Sequence, residues 1–263
     1  MNDLAVRADL AIRAFYRAFA LSVGGRVVER DGVVACLGVH PSPVVTNTAW
    51  RADPSMNPSV AIRTVDEIYR EAGFAGSLMT SSRSDEDLEA AAERAGRRAL
   101  VELPVMVMDR SARSTPWPTP AAATVRAVDP VADLDVVRTI LIGGFFEGDV
   151  GGRSLIDATF ASPRSLAGPS VGVFLGELDG QAVSVAGVWL LGDDAGIGWV
   201  ATLPPARRRG LGALVTARAV EYAFDRGIAM AMLQASPSGR PVYERIGFAT
   251  VGLDRIWGPV EPG

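Results

Sequence analysis

Apolar positions along this chain recur with two periods, and the switches between them sketch its elements. Residues 4–22 carry Leu4, Ala8, Ile12, Phe15 and Phe19 on one helical face, which predicts an amphipathic helix. Two strand-like runs follow in GRVVERDGVVACLGV, joined by Asp31 and Gly32, a pair that favours a tight hairpin turn. A third strand-like run is PVVTNTAW. The spacing of Val60, Ile62, Val65, Ile68 and Tyr69 predicts a helix over 59–72, with Gly73 at its stop. Strand AGSLMTS, helix SDEDLEAAAERAG with Ser84 as its cap, and a last apolar run LVELPVMVMD complete this stretch.

The pattern then breaks. DRSARSTPWPTPAA places three prolines within residues 116–120, which neither a helix nor a central strand tolerates. A domain of residues 1–110, a linker of 111–121 and a second domain of 122–263 are expected. The second domain repeats the grammar of the first. ATVRAV reads as a strand, 130–146 and 149–162 as helices, and SVGVFLGELDGQAVSVAGVWLLG as a hairpin turning at Asp179 and Gly180. Strand AGIGWVATL leads to a helix at about 210–225 with Leu211, Leu214, Val215, Arg218 and Tyr222 along one stripe, ended by Gly227. Strand AMAMLQA precedes a short helix that Ser236 can cap with Pro237 at its first position, and ATVGLDRIW is a final strand. An α/β chain, with mixed, mostly antiparallel sheet flanked by helices in each half, accommodates this order.

Composition narrows the class. The chain has 263 residues, 48% of them hydrophobic, enough for sizeable cores. No apolar run approaches the roughly 20 residues that span a bilayer, and the N-terminus mixes Asp3 and Asp9 with Arg7 and Arg13, unlike a signal peptide. A cytoplasmic protein without a membrane partner is expected. One cysteine, Cys36, and one histidine, His40, leave no disulfide and argue against a metal centre. The net charge of −4 argues against nucleic acid as a partner. Every basic residue is arginine, so an arginine by itself says little.

The candidate chemistry lies in ATLPPARRRGLGALV, residues 201–215. A phosphate needs several converging donors. Backbone N–H groups supply them where glycines such as Gly210 and Gly212 allow positive φ and close approach. The following helix adds its positive end, and Arg207, Arg208 and Arg209 add full charges. The same residues also suit a basic connecting turn. Tyr243 lies 31 residues after Gly212, in SPSGRPVYERIGF; read alone, it suits a packed tyrosine with its hydroxyl at the surface.

The pairing of Arg207-x-x-Gly210-x-Gly212 with the downstream Tyr-Glu-Arg-Ile-Gly-Phe segment resembles the GNAT superfamily of acyl-CoA-dependent N-acetyltransferases, over roughly residues 122–258. The resemblance implies a tandem of two GNAT-like domains, with acetyl-CoA as co-substrate and no metal. It implies that Arg207, Arg208, Arg209, Gly210, Leu211, Gly212 and Ala213 hold the diphosphate, and that the backbone of Val200, Ala201 and Thr202 pairs with the pantetheine arm. Tyr243 would protonate the departing thiolate. The family often has an asparagine seven residues before that tyrosine; here it is Ser236, which would take that place or act as a helix cap.

One departure bears on mechanism. Many members carry a carboxylate on the strand before the loop, where this chain has Gly198 and Trp199. Asp193, Asp194, Glu147 and Asp149 are better read as solvated surface acids. Trp199, Phe145, Phe146 and Trp189 suit either an apolar acceptor pocket or plain core. The first half lacks both motifs and is expected to be degenerate, to bind no coenzyme A, and to wall off part of the acceptor site. The implied acceptor is a primary amine on a small molecule or peptide, and a homodimer is compatible with it. A non-catalytic acyl-CoA binding or sensing module is the alternative.

Overall fold

The computed structural model describes residues 2–43, 46–112 and 119–259. The first half runs α1 (Asn2–Ser22), β1 (Arg26–Arg30), β2 (Val33–Leu37), β3 (Thr48–Arg51), α2 (Pro58–Ala72), β4 (Ser77–Ser81), α3 (Glu86–Arg94) and β5 (Ala99–Asp109). The second runs β6 (Ala123–Ala127), α4 (Leu134–Phe145), α5 (Val150–Thr159), β7 (Val171–Leu178), β8 (Gln181–Leu191), β9 (Asp194–Thr202), α6 (Leu211–Phe224), β10 (Met230–Gln234), α7 (Arg240–Arg245) and β11 (Ala249–Trp257). The expected linker falls between β5 and β6, and its residues 113–118 lie outside the described residues.

Local chemistry explains most boundaries. Asp31 and Gly32 have φ of 44° and 76°, and Asp179 and Gly180 have 51° and 76°, the twin left-handed residues that match a hairpin turn to strand twist. Gly73 ends α2 in the left-handed conformation with its N–H on the last carbonyls. Two expected caps are corrected. Asp85, not Ser84, occupies the cap position of α3, and its side chain makes no cap bond; its carboxylate accepts from the Ser81 N–H and from Arg51 instead. The helix carrying Tyr243 starts at Arg240, with Pro241 rather than Pro237 in its first turn.

All the strands join one sheet in the order β1-β2-β3-β4-β11-β5-β10-β9-β8-β7-β6. β3–β4 and β9–β10 run parallel and the other neighbours antiparallel. The two halves therefore do not form separate sheets. β11 lies between β4 and β5 of the first half, and β5 lies between β11 and β10, so each half's last strand is embraced by strands of the other. Helix α1 covers one face over the middle of the sheet and meets α4 there, and α2, α3, α6 and α7 cover the opposite face. Among the described residues no helix is long and apolar enough to cross a membrane.

Candidate active site

The parallel contact between β9 and β10 is short: Met230↔Asp194, Ala231↔Ala195 and Met232↔Gly196. Beyond it the strands part. β9 stays paired with β8 as far as Ser184↔Thr202, and β10 with β5 as far as Gln234↔Val105. A wedge opens between them, with Ile197 to Thr202 on one arm and Leu233 and Gln234 on the other. One extra residue bulges out of β9 where Gly187↔Gly198 steps to Val185↔Ala201. Trp199 takes up the bend at φ 56°, and such bulges bend a strand and re-aim its side chains. Val200, Ala201 and Thr202 thus lie on one arm of the wedge.

At the end of β9 the backbone turns once over residues 204–206 and enters α6. The Arg207 N–H bonds the Pro204 carbonyl at 3.2 Å, and the Leu214 N–H bonds the Gly210 carbonyl at 3.0 Å. Between these, the N–H groups of Arg208 to Ala213 have no acceptor among the described residues. Arg208 and Gly210 hold left-handed conformations, φ 61° and 81°, and Gly210 sits at the cap position without a capping side chain. Unspent donors at a helix start, reinforced by the helix dipole, form an anion-binding arrangement.

The three arginines separate in role. Arg207 turns back, its Nε donating to the Thr202 carbonyl at 3.1 Å and its Nη2 to the Gly144 carbonyl at 2.8 Å. It ties the end of α4 to the end of β9. Arg208 and Arg209 are exposed at the loop. Leu211 is buried in the core, so only its main chain faces the loop. Gly212 lies close under Thr202: a Cβ there would be 3.4 Å from Thr202 Oγ1.

Tyr243 on α7 is buried, its ring 6.2 Å from that of Phe248 and close against Gly239. Its hydroxyl has no hydrogen-bond partner among the described residues, and burial pushes its pKa up to about 12. It shares a core cluster with Leu233 and Ala235 of the β10 arm, against which Val200 and Ala213 also pack. Ser236 Oγ accepts from the Gly239 N–H at 3.1 Å, which stiffens the turn leading into α7.

On the opposite face α1 closes the wedge. Phe15 lies so close over Gly196 and Gly198 that a Cβ would meet its ring at 2.4 Å and 2.7 Å respectively. The place where a carboxylate was sought on β9 is thus filled by a side chain from the first half. Trp199 packs against Phe19, Phe145 and Phe160. Phe145 is 47% exposed, whereas Trp189 is core and donates Nε1 to Ser22 Oγ at 3.3 Å. Of the surface acids, Asp194 pairs with Arg7, and Asp149 caps α5 through the Gly151 N–H.

One feature escaped the sequence pattern: Tyr16 of α1 donates to Gln234 Oε1 at 2.9 Å, and Gln234 Nε2 donates to Asp254 Oδ2 at 2.6 Å. Burial is the main cause that pushes the Asp254 carboxyl up to about 7. Its signal was present, since Asp254 alternates with the inward Ile256 along β11 and a carboxylate on an inward strand position is uncommon.

The first half has a matching wedge that is filled. β3 and β4 pair at Thr48↔Ser77 and Ala49↔Leu78. The buried Arg51 beyond them bonds Asp85 at 3.1 Å, Asp87 at 2.7 Å and the Met56 carbonyl at 3.1 Å. At the start of α2, Asn57 takes up the Ser59 and Val60 N–H groups. No cluster of three or more metal-ligating side chains occurs among the described residues. His40 contacts Ser154, and burial pushes the Cys36 thiol up to about 12.

Residues 147–248 match the acetyltransferase (GNAT) family. The chain is 26% identical over 179 residues to mycothiol acetyltransferase of Thermomonospora curvata; the match takes in 65% of this chain and 60% of that protein, less than two thirds of its length. Two solved structures share the fold along nearly the whole chain. A GCN5-related N-acetyltransferase from Kribbella flavida aligns with TM-score 0.75 and 22% identity, over 97% of this chain and 96% of that one. A tandem GNAT protein from the clavulanic acid biosynthesis pathway aligns with TM-score 0.57 and 14% identity, over 97% and 96%.

Proposed function

We propose, for a chain whose residues 147–248 match the acetyltransferase (GNAT) family, that it moves an acetyl group directly from acetyl-CoA to a primary amine of a small molecule or peptide. The observation that carries this is the run of unspent N–H groups from Arg208 to Ala213 at the mouth of the β9/β10 wedge. These would hold the diphosphate, with Arg208 and Arg209 adding charge and Arg207 fixing the arm. The pantetheine would lie along Val200, Ala201 and Thr202, and its thioester would reach the apex of the wedge. Ser236 would serve by holding the turn before α7.

The amine nitrogen attacks the thioester carbonyl carbon. As the tetrahedral adduct collapses, the C–N bond remains and the C–S bond breaks; the sulfur gains a proton and the nitrogen loses one. Tyr243 is the general acid in this reading, donating to sulfur as it leaves. Its raised pKa keeps it protonated at any ordinary assay pH. Because thiols ionise near 8.5, a phenol at about 12 holds its proton more tightly than the thiolate would. Proton delivery to sulfur must therefore be coupled to reprotonation of Tyr243 from the acetylated nitrogen.

The first half would bind no coenzyme A, since Arg51 fills its wedge and Asn57 has already satisfied its helix start. It would instead build the acceptor side through α1. A non-catalytic acyl-CoA module is the second reading, favoured by the absence of a carboxylate at positions 198 and 199 of β9, where Phe15 covers Gly198. Thiol release from acetyl-CoA across a panel of primary amines separates the two. Transfer predicts turnover with some amine, and Tyr243→Phe slowing it by roughly 10²-fold with acetyl-CoA affinity nearly unchanged. Binding without turnover for every amine establishes the second reading. A cytoplasmic location and a homodimer belong to the proposal and are checked by cell fractionation and sedimentation.

A further inference from the structure

Where β10 leaves β9 runs a polar chain that the second half cannot supply alone. Tyr16 comes from α1, Gln234 is the last residue of β10, and Asp254 lies on β11. Gln234 stands just past Met232, where β10 leaves β9, and shares the α1 face with Met230 and Met232. Phe15, the neighbour of Tyr16, covers Gly198 on the other arm. Tyr16 and Gln234 are half-buried and Asp254 is buried. Burial raises the pKa of the Tyr16 hydroxyl, so it keeps its proton at neutral pH and has it to give to Gln234.

We propose that Tyr16 of the first half is an acceptor-positioning residue of the second half's site, aimed by Gln234 and Asp254. The inference rests on the acetyl-transfer reading. A carboxylate only accepts hydrogen bonds, so Gln234 must turn Nε2 to Asp254 and Oε1 to Tyr16. Tyr16 commits its O–H to Gln234 and presents an oxygen lone pair to the wedge. That lone pair accepts an N–H of the amine and leaves the nitrogen's own lone pair free for the thioester carbonyl. A protonated Asp254 is a donor, and the amide turns over to accept from it. Nε2 then faces Tyr16, whose O–H swings toward the wedge and occupies the very lone pair that must attack.

The surroundings of Asp254 place this reversal near neutrality. Burial raises its pKa to about 7; the Gln234 hydrogen bond and Arg13 lower it, while Asp9 and Asp85 raise it. The facing groups are Asp9 and Arg13 of α1, Ser81 of β4, Asp85 and Arg83 beyond it, and Arg51 of β3 through its pair with Asp85. On β5 the partner is the uncharged Leu103. The cavity between Asp9, Arg13, Ser81 and Asp254 has room for about one water.

The test uses the full chain, acetyl-CoA, and as probe acceptor the primary amine that the wild type acetylates fastest in the panel. Tyr16→Phe is expected to raise the KM for that amine about 3- to 10-fold, the range of one hydrogen bond, with the acetyl-CoA Kd unchanged and kcat within about twofold. In the wild type, kcat/KM corrected for ionisation of the amine should fall as the pH drops through 7, and Asp254→Asn should flatten that limb. An unchanged amine KM in Tyr16→Phe overturns the proposal. So does an equal loss of affinity for amine and acetyl-CoA, or a limb that persists in Asp254→Asn. If acetyl-CoA binds but no amine is acetylated by the wild type, the transfer reading itself falls.

Discussion

The contact of Phe15 with Gly198 makes a sharp prediction, because it says why position 198 of β9 has no room for a carboxylate and what holds α1 over the wedge. In Gly198→Ala the new Cβ would lie 2.7 Å from Phe15 Cζ, 3.3 Å from Cε2 and 3.6 Å from Cε1. The ring cannot swing aside. Trp189 stands edge-on at 5.3 Å, Phe19 stacks at 6.2 Å, and Gly196 already touches the ring's near edge. Overpacking of this kind costs about 1–3 kcal/mol, partly offset by the roughly 0.5–1 kcal/mol that alanine gains over glycine in a strand. A net loss of about 1–2 kcal/mol lowers Tm by roughly 2–8 °C in a chain of this size. Phe15→Ala alone costs about 3 kcal/mol through lost burial. In the double variant the added methyl fills part of the space the ring vacated, so the two losses fall short of additivity by about 1–2 kcal/mol. Urea melts of the wild type, both single variants and the double variant measure this coupling. A neutral Gly198→Ala, or strictly additive losses, would show that α1 does not press on β9 as described.

Three further outcomes follow from the same geometry. The fragment 120–263 should form soluble aggregates or precipitate on gel filtration, because both hydrogen-bonding neighbours of β11 and one of β10 belong to the first half and bare strand edges recruit other chains; a monomeric fragment as active as the whole chain contradicts this. Arg51→Ala, which strands Asp85 without its buried partner, should cost about 3–5 kcal/mol in a denaturant melt yet leave acetyl-CoA affinity unchanged. Asp254 has a folded pKa of about 7 against an unfolded value near 3.9. The stability its proton confers is complete below about pH 4 and lost as the pH rises through 7, a change of at most about 4 kcal/mol. Asp254→Asn removes that dependence, so its Tm relative to the wild type should rise between pH 5 and pH 8; a constant difference refutes it.

What could be read from the sequence is what local chemistry encodes. Asp31-Gly32 and Asp179-Gly180 announce their hairpins, Gly73 its helix end, and the arginine-glycine run its turn into α6, because each needs a particular backbone conformation at a particular residue. The exchange of β5 and β11 between the halves was not legible, since the order of strands in a sheet leaves no mark on the alternation within any one of them. Phe15 and Tyr16 read simply as a helix face; their placement on the second half's wedge depends on a contact across more than 180 residues, from Phe15 to Gly198. Arg207 looked equivalent to its two neighbours. It is the nearby Thr202 and Gly144 carbonyls that set it apart.

The central claim is that the amides of Arg208 to Ala213 await a diphosphate. Amide proton–nitrogen spectra of the whole chain, titrated with acetyl-CoA and then with S-acetylpantetheine, which lacks the diphosphate, test it most directly. The account predicts that acetyl-CoA produces its largest downfield shifts on the amides of residues 208–213 and that the truncated thioester leaves those amides in place. Saturable binding of acetyl-CoA with these amides unmoved, or no binding at all, would contradict it.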